Sequence, residues 1–311
     1  VTDQTRALVR RVAAELDYVP SPSAVALASG RTRSVALVAP AISRWFFAQV
    51  CEGAARTLRR AGFDALLHFL PDQVQPRATF DPDPLRGRVD AVLVASMTFS
   101  DQEAERLREL GLPAVFVSTH QPGFPFVGID DEAAAAAATG HLIGLGHRVI
   151  GHVGGPHSDF SPRSPTWRRR LGWRRALTQA GLEQAPELDG AADFSAQAGG
   201  QAALALKERR PDLTALFVAS DEMAMGAIAA LESNGWRVGR DVSVVGLDGH
   251  DMGYLVGLTS LAQPAQAQGA WAAQFLLDAL AGSDPLQTER VFETELIVRS
   301  STGPAPAENG V

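Results

Sequence analysis

The strongest constraint on the fold is an alternation of short β-branched runs with alanine- and leucine-rich stretches, which begins at Ser34. The runs predict strands at residues 35–38, 65–69, 91–94, 114–117, 149–153, 215–218 and 242–245. The stretches between them predict helices at residues 47–61, 101–110, 132–145, 171–180, 196–207 and 221–234. This alternation is typical of βαβ units, which form a parallel sheet with helices on both faces. Because the pattern occurs before about residue 129 and again after it, the sequence predicts an α/β fold with two similar doubly wound lobes.

One segment departs from this pattern. Residues 71–88 carry prolines at positions 71, 76, 82 and 84, where a helix would otherwise follow a strand. Proline removes a backbone donor and restricts the preceding residue, so we expect an irregular loop there with little or no helix.

The composition is that of a globular protein with a large core. A chain of 311 residues, 46% hydrophobic and 20% charged, suits two lobes of roughly 130 residues each. Cys51 is the single cysteine, which excludes an intrachain disulfide and a cysteine-based zinc site. The first residues have no apolar signal core, and no run approaches the roughly 20 residues of a membrane helix. The sequence therefore favours a cytoplasmic location and no membrane association.

Residues 1–33 differ from the rest of the chain. Residues 5–18 have the apolar spacing of an amphipathic helix, and a short apolar segment, residues 23–29, follows two prolines. Five arginines against three acidic residues give this segment a charge of +2, so the remainder carries −9 of the total of −7. One helix and a short connector cannot bury a core of their own. We interpret residues 1–33 as the remnant of a DNA-binding domain followed by a hinge.

Several short motifs cover nearly the whole chain. They lie at residues 144–155 (GLGHRVIGHVGG), 169–173 (RRLGW), 219–226 (ASDEMAMG), 238–249 (VGRDVSVVGLDG), 258–264 (LTSLAQP) and 294–304 (TELIVRSSTGP). In order and spacing they resemble the LacI/GalR (lactose-repressor) family of bacterial transcriptional regulators, whose sensor domains share a fold with periplasmic sugar-binding proteins. The resemblance implies periplasmic-binding-protein-like lobes that control operator DNA binding, no catalytic activity and no cofactor, and a homodimer.

The resemblance also divides the chain. It implies an N-terminal lobe of residues 34–129 and 263–284, and a C-terminal lobe of residues 130–262 and 285–311. Three crossovers would join the lobes, near residues 129–131, 261–264 and 282–286. The helix at residues 265–281 would return to the first lobe, and residues 291–298 would return to the second.

Polar residues that follow predicted strands are the candidate ligand contacts, because open α/β sheets bind ligands at the carboxyl ends of their strands. Asp248, Ser220 and Ser118 each end a strand. Gln263 lies in a crossover, and Arg169 lies at the start of a helix. A guanidinium opposite a carboxylate binds vicinal hydroxyls or a polar heterocycle through fixed, paired hydrogen bonds.

The resemblance implies that these residues contact a small polar effector, a sugar or a sugar derivative. It also implies aromatic walls from Phe194, Trp45 and Phe46. Structural alternatives remain open: Arg169 as a solvated helix start, Asp248 as a turn residue, and the three aromatic residues as core or lobe packing. Asp221 is interpreted as a helix cap and His147 as a structural residue.

The hinge carries the predicted DNA contacts, which are Leu27, Ser21 and Ala24. In the resembled family a hinge leucine from each subunit wedges into the minor groove and kinks the DNA. The alternative is that Leu27 is an ordinary linker residue. Without the helix-turn-helix that reads bases, we expect the chain as given not to bind an operator specifically.

Two other functional classes compete with this interpretation. An enzyme is disfavoured because the sequence has no GxGxxG, P-loop, GxSxG or HExxH motif, and its seven histidines lack metal-ligand spacing. A solute-binding protein for transport or chemosensing has the same fold, and a signal peptide in place of the hinge would distinguish it. The sequence favours a transcriptional regulator.

Overall fold

The computed structural model describes residues 2–16, 30–69, 79–156, 161–283 and 287–307. Helix α1 (Asp3–Glu15) leaves the apolar side chains of Leu8, Val9 and Val12 between 40% and 62% exposed, and Leu16, directly after it, is 74% exposed. A short helix gains most of its stability from packing an apolar face, and this face has no packing partner among the described residues. The hinge residues Leu27, Ser21 and Ala24 lie outside the described residues, so their DNA contacts stay a prediction.

The first lobe is built on a six-stranded parallel sheet. Its elements are β1 (Ser34–Ala39), α2 (Trp45–Arg60), β2 (Asp64–Phe69), β3 (Ala91–Ala95), α3 (Asp101–Glu109), β4 (Ala114–Val117) and β5 (Phe126–Ile129). Strands β1, β3, β4 and β5 are wholly or almost wholly buried, as expected of parallel strands covered on both faces. Between β2 and β3, residues 79–90 hold only a 3₁₀ turn (Asp83–Leu85), which agrees with the prediction of an irregular segment for residues 79–88. Residues 71–78 of that prediction lie outside the described residues.

The second lobe repeats the arrangement. Its elements are α4 (Asp131–Gly144), β6 (Ile150–Gly154), α5 (Pro165–Gln179), β7 (Asp189–Ala191), α6 (Ala196–Arg209), β8 (Ala215–Val218), α7 (Asp221–Ser233), β9 (Ser243–Asp248) and β10 (Thr259–Ala262). Short 3₁₀ helices occur at Pro186–Leu188 and Asp251–Val256. The chain then continues through α8 (Ala265–Leu280), β11 (Glu289–Phe292) and β12 (Glu295–Ile297).

The strand orders of the two sheets are equivalent. The first sheet runs β11-β5-β4-β3-β1-β2, and the second runs β12-β10-β9-β8-β6-β7. All pairings are parallel except that of β12, which is antiparallel to β10. Each order reverses beside the first strand of its lobe, which places the binding crevice at the carboxyl ends of the strands. The predicted fold of two doubly wound lobes is confirmed.

The chain crosses between the lobes at β5–α4, at β10–α8 and again after β11. Helix α8 packs on α2 in the first lobe. Strand β11 then adds a parallel edge strand beside β5, so the third crossing lies at residues 293–294. The prediction of a third crossing near residues 282–286, with residues 291–298 all in the second lobe, is therefore wrong. The side chains of β11 are mostly exposed, and its pattern carries no sign of which sheet it joins.

Candidate ligand site between the lobes

Unusual backbone conformations gather at the carboxyl ends of the strands. Ser96 follows β3 and Ser118 follows β4, with φ angles of 49° and 67°. In the second lobe, Asp248 ends β9 with φ 144°, and Phe194 follows β7 with φ 66°. Positive φ is uncommon outside glycine and tends to occur at functional sites, where the surrounding structure holds it. These two strand edges are therefore the place to look for ligand-contacting groups.

Arg169 is held in a fixed position between α5, α4 and β8. Gly172, one turn later, allows α5 to pack closely on α4: a Cβ atom there would lie 2.2 Å from the carbonyl oxygen of Glu132. As a result the Arg169 Nε donates to Asp131 Oδ1 at 2.7 Å, and Nη1 donates to the Ala219 carbonyl oxygen at 2.5 Å. Only 6% of Arg169 is exposed. The resulting guanidinium orientation is fixed before any ligand binds.

Asp248 lies beside this guanidinium, with Oδ1 3.9 Å from the Arg169 Nη1. The same oxygen accepts a hydrogen bond from Gln263 Nε2 at 2.8 Å, and Gln263 Oε1 accepts one from Gln268 Nε2 at 2.9 Å. Burial raises the pKa of Asp248 to about 7; Arg169 opposes the rise, and the charge of Asp221 adds to it. Asp248 is therefore balanced between its ionised and neutral forms near neutral pH.

Asp131 and Asp221 complete a group of three buried carboxylates around Arg169. Burial raises the pKa of both, and in Asp131 the ion pair with Arg169 opposes the rise. The burial of Arg169 alone would lower its pKa, but the neighbouring carboxylates outweigh this effect and its pKa is raised. Arg169 therefore stays charged.

The prediction that Asp221 caps its helix is wrong. The N-cap of α7 is Ser220, whose hydroxyl accepts from the Met223 backbone N–H at 3.4 Å. The Asp221 carboxylate instead accepts from the backbone N–H groups of Gly249 and His250, at 2.8 and 2.7 Å, and from the Ser260 hydroxyl. Serine and aspartate are equally good N-caps, so their order alone did not decide between them. Asp221 fixes the backbone that follows Asp248.

Trp45 bridges the two lobes. Its ring stacks on His250 with centroids 5.2 Å apart, and its Nε1 donates to Asp251 Oδ1 at 3.0 Å. The neighbouring Arg44 donates to the Asp193 carbonyl oxygen at 3.3 Å. The start of α2 in the first lobe is therefore in contact with the second lobe.

The other predicted contacts lie in different surroundings. Phe46 packs against the first-lobe core and meets Phe47 edge to face. Phe194 packs against the second-lobe core and covers Gly155. Ser118 is buried at the end of β4, and its backbone N–H donates to Val127. The structure thus brings together Arg169, Asp248 and Gln263, and Ser220 directly follows Ala219, whose carbonyl oxygen binds Arg169. Ser118, Phe46 and Phe194 have no described contact to that group. The ligand contacts of all eight residues, Trp45 included, stay predictions.

Sequence reasoning missed two important partners. Asp131 lies in an acidic helix start, a pattern that ordinarily favours the helix dipole and does not indicate an ion pair. Gln268 lies in an alanine-rich helix with no motif around it. His147 is structural as predicted: it contacts the hydroxyls of Thr214 and Ser243 at 3.0 and 2.9 Å, and burial lowers its pKa.

The described residues contain no group of three or more histidine, cysteine or acidic side chains arranged to hold a metal ion. Their helices include none of sufficient length and apolar character to cross a membrane.

Two doubly wound lobes with three crossings and a buried polar group at the strand ends define a two-lobed ligand-binding protein. Residues 139–302 match the periplasmic binding protein-like domain. The chain is 32% identical to the HTH-type transcriptional regulator CelR of Thermobifida fusca, over 97% of this chain and 90% of that protein. It is 30% identical to the HTH-type transcriptional repressor CytR of Escherichia coli K12, over 98% of this chain and 90% of that protein.

Solved structures give the same result. The transcriptional regulator CelR–cellobiose complex has a TM-score of 0.75 at 31% identity, covering 97% of this chain and 91% of that one. A LacI family transcriptional regulator from Enterococcus faecium with bound ribose has a TM-score of 0.77 at 26% identity, covering 87% and 99%. This chain belongs to the LacI family of transcriptional regulators, and the resemblance found in the sequence is confirmed.

Proposed function

We propose that the chain is the body of a bacterial transcriptional regulator that binds a sugar or sugar derivative between its lobes and thereby controls operator binding. The observation that carries the proposal is the pairing of the fixed Arg169 guanidinium with the Asp248 carboxylate. Relatives of this chain have been solved with cellobiose and with ribose. Regulators of this family act on DNA, so we also propose a cytoplasmic location.

The chemistry of this pair suits vicinal hydroxyls. One hydroxyl can donate to the carboxylate of Asp248 while it accepts from the guanidinium of Arg169, and charged partners make such hydrogen bonds strong. The Ser220 hydroxyl uses a lone pair to cap α7, which leaves its proton available for a ligand oxygen. Three differently oriented polar groups would therefore recognise the arrangement of several hydroxyls.

The link to DNA runs through the first lobe. Just before β1, the backbone N–H groups of Thr32 and Arg33 both donate to the Asp90 carboxylate at 2.8 Å. Arg31 donates to the Leu280 carbonyl oxygen at 3.3 Å. The chain that leads back to the hinge is thereby attached to the first lobe. A ligand that prefers one relative orientation of the lobes would change the position of the hinge.

We propose that the protein is a homodimer. The 3₁₀ segment Asp251–Val256 leaves Met252, Tyr254 and Leu255 more than half exposed, and such apolar patches commonly mark protein interfaces. Sedimentation at micromolar concentration should give a dimer for the wild type and a monomer for Leu255→Asp. A wild-type monomer would contradict the proposal.

A thermal-shift screen against sugars, polyols and nucleosides tests ligand binding. A ligand present at a hundred times its Kd should add about 2.7 kcal/mol to the free energy of unfolding. Asp248→Asn keeps the shape of the side chain and should reduce the shift, whereas Asp101→Asn, on the exposed start of α3, should not. Absence of a shift with every class, or equal shifts in wild type and Asp248→Asn, would refute the proposed site.

A further inference from the structure

The buried polar group at the cleft contains more acidic than basic side chains. Asp131, Asp248 and Asp221 surround Arg169, and the three carboxylates with one guanidinium sum to −2 when all are ionised. Arg169 already binds Asp131 and the Ala219 carbonyl oxygen. The guanidinium of Arg169 is therefore already paired with groups of the protein itself.

Two of the helix starts at the cleft are acidic. Helix N-termini attract anions because their backbone N–H groups are unpaired and the helix dipole is positive there. Helix α4 begins with Asp131 and Glu132 after the N-cap Asp130, and α7 begins with Asp221 and Glu222. Each of these helix starts therefore carries two or three acidic side chains, and their charge disfavours an anion there.

Helix α5 is the strongest counter-argument, because its first turn has no acidic residue and it carries Arg168, Arg169 and Arg170. Each of these arginines has an acidic partner, however. Arg168 lies 3.3 Å from Glu132, and Arg170 pairs with the buried Asp189. Each guanidinium at this helix start is therefore already paired with a carboxylate of the protein, which weakens its attraction for an anionic ligand.

Among the described residues, the two arginines that contact the opposite lobe near the cleft already donate to backbone carbonyl oxygens. Arg44 donates to the Asp193 carbonyl oxygen and lies near Glu222. Arg163 donates to the Phe99 carbonyl oxygen at 3.4 Å.

We propose that the cleft selects an uncharged, hydroxyl-rich effector and rejects its phosphorylated and carboxylated counterparts, because three carboxylates share one committed guanidinium. This inference rests on the proposed function and specifies its ligand class. Burial is the largest cause of the raised pKa values of the three aspartates, and for Asp248 the charge of Asp221 adds to the rise. An anionic ligand would add negative charge to this dehydrated group of carboxylates.

Matched ligands test the proposal directly. Glucose, cellobiose and ribose are compared by thermal shift and calorimetry with glucose 6-phosphate, glucuronate and ribose 5-phosphate, at pH 8 and constant ionic strength. Coulomb repulsion in a dehydrated cleft should weaken binding of the phosphate ester by roughly a hundredfold relative to its neutral parent. A neutral sugar that binds while its phosphate and carboxylate forms do not would support the inference.

Two variants on one helix separate charge from packing. Glu222→Gln removes a half-buried negative charge near Arg44 and should reduce the discrimination against phosphate, measured as the ratio of the phosphate Kd to the neutral-sugar Kd, several-fold. Glu232→Gln, exposed near the other end of α7, is the matched control and should change neither value. Equal or tighter binding of an anionic counterpart would overturn the inference and leave the proposed function intact. No binding by any compound would refute the proposed function and the inference with it.

Discussion

Replacing Asp248 by asparagine should stabilise the ligand-free protein, and more so at high pH. The pKa of Asp248 is raised to about 7, whereas an unfolded aspartate titrates near 3.9. Between these two pH values the Asp248 carboxyl group holds a proton in the folded state that it has lost in the unfolded state. The contribution of Asp248 to the free energy of unfolding therefore falls as the pH rises and is constant above about pH 7. A shift of about three pKa units corresponds to roughly 4 kcal/mol for ionising the buried carboxyl group in the folded state.

Asparagine cannot titrate, but it keeps the shape of the aspartate side chain and an oxygen that can accept the hydrogen bond from Gln263 Nε2. Effects of the substitution on packing do not depend on pH, so the informative quantity is the change in the stability difference between variant and wild type. From pH 5 to pH 8 the free energy of unfolding of Asp248→Asn should rise relative to that of the wild type by roughly 2–3 kcal/mol. The reason is that about two pH units of this range lie below the folded pKa of Asp248, where its titration still changes stability.

Urea or thermal unfolding of both proteins at pH 5, 6, 7 and 8 measures this difference. Asp101→Asn, which removes an exposed carboxylate on α3, is the control and should show no such growth. A stability difference that stays constant with pH would show that Asp248 is not held in the strained ionisation state inferred from the structure. The same variant should bind its ligand less well, an exchange of stability for function that is common at binding sites.

Two further perturbations test how the site is held. Gly172→Ala places a Cβ atom where the Glu132 carbonyl oxygen lies, so it should separate α5 from α4 and lower the free energy of unfolding by roughly 1–3 kcal/mol. Gly140→Ala in α4, where a Cβ would meet no atom within 4 Å, should instead stabilise by about 0.5–1 kcal/mol; two equal effects in calorimetry would contradict the packing argument. Trp45→Phe keeps an aromatic ring on His250 and loses the hydrogen bond to Asp251. Ligand affinity measured by titration calorimetry should fall roughly fivefold, which corresponds to a loss of about 1 kcal/mol. Unchanged affinity would mean that the contact between the lobes does not assist binding.

The sequence predicted the two-lobed fold because buried parallel strands read as continuous apolar runs separated by helical segments. It failed for β11, whose exposed residues on a sheet edge match either lobe equally well. The pairing of a short edge strand is determined by hydrogen bonds with the backbone of its neighbour, here β5. The local sequence of the strand does not indicate which neighbour that is.

The candidate site shows the same division. Asp248 and Arg169 follow from motif order, and the structure places them 3.9 Å apart. Asp131 was missed and Asp221 was misinterpreted as a cap because acidic residues are ordinary at helix starts. Only the folded chain reveals that Asp131 meets the Arg169 guanidinium and that Asp221 meets the backbone after Asp248. The raised pKa of Asp248 likewise depends on residues far apart in sequence.

The most direct test of the account is a calorimetric titration at pH 8 with the sugar that gives the largest thermal shift. Wild type and Glu232→Gln should each bind one molecule per chain with the same Kd. Asp248→Asn should bind at least about tenfold more weakly, since hydrogen bonds to a charged group contribute roughly 1.5–3 kcal/mol. Unchanged affinity in Asp248→Asn would contradict the assignment of the cleft as the effector site.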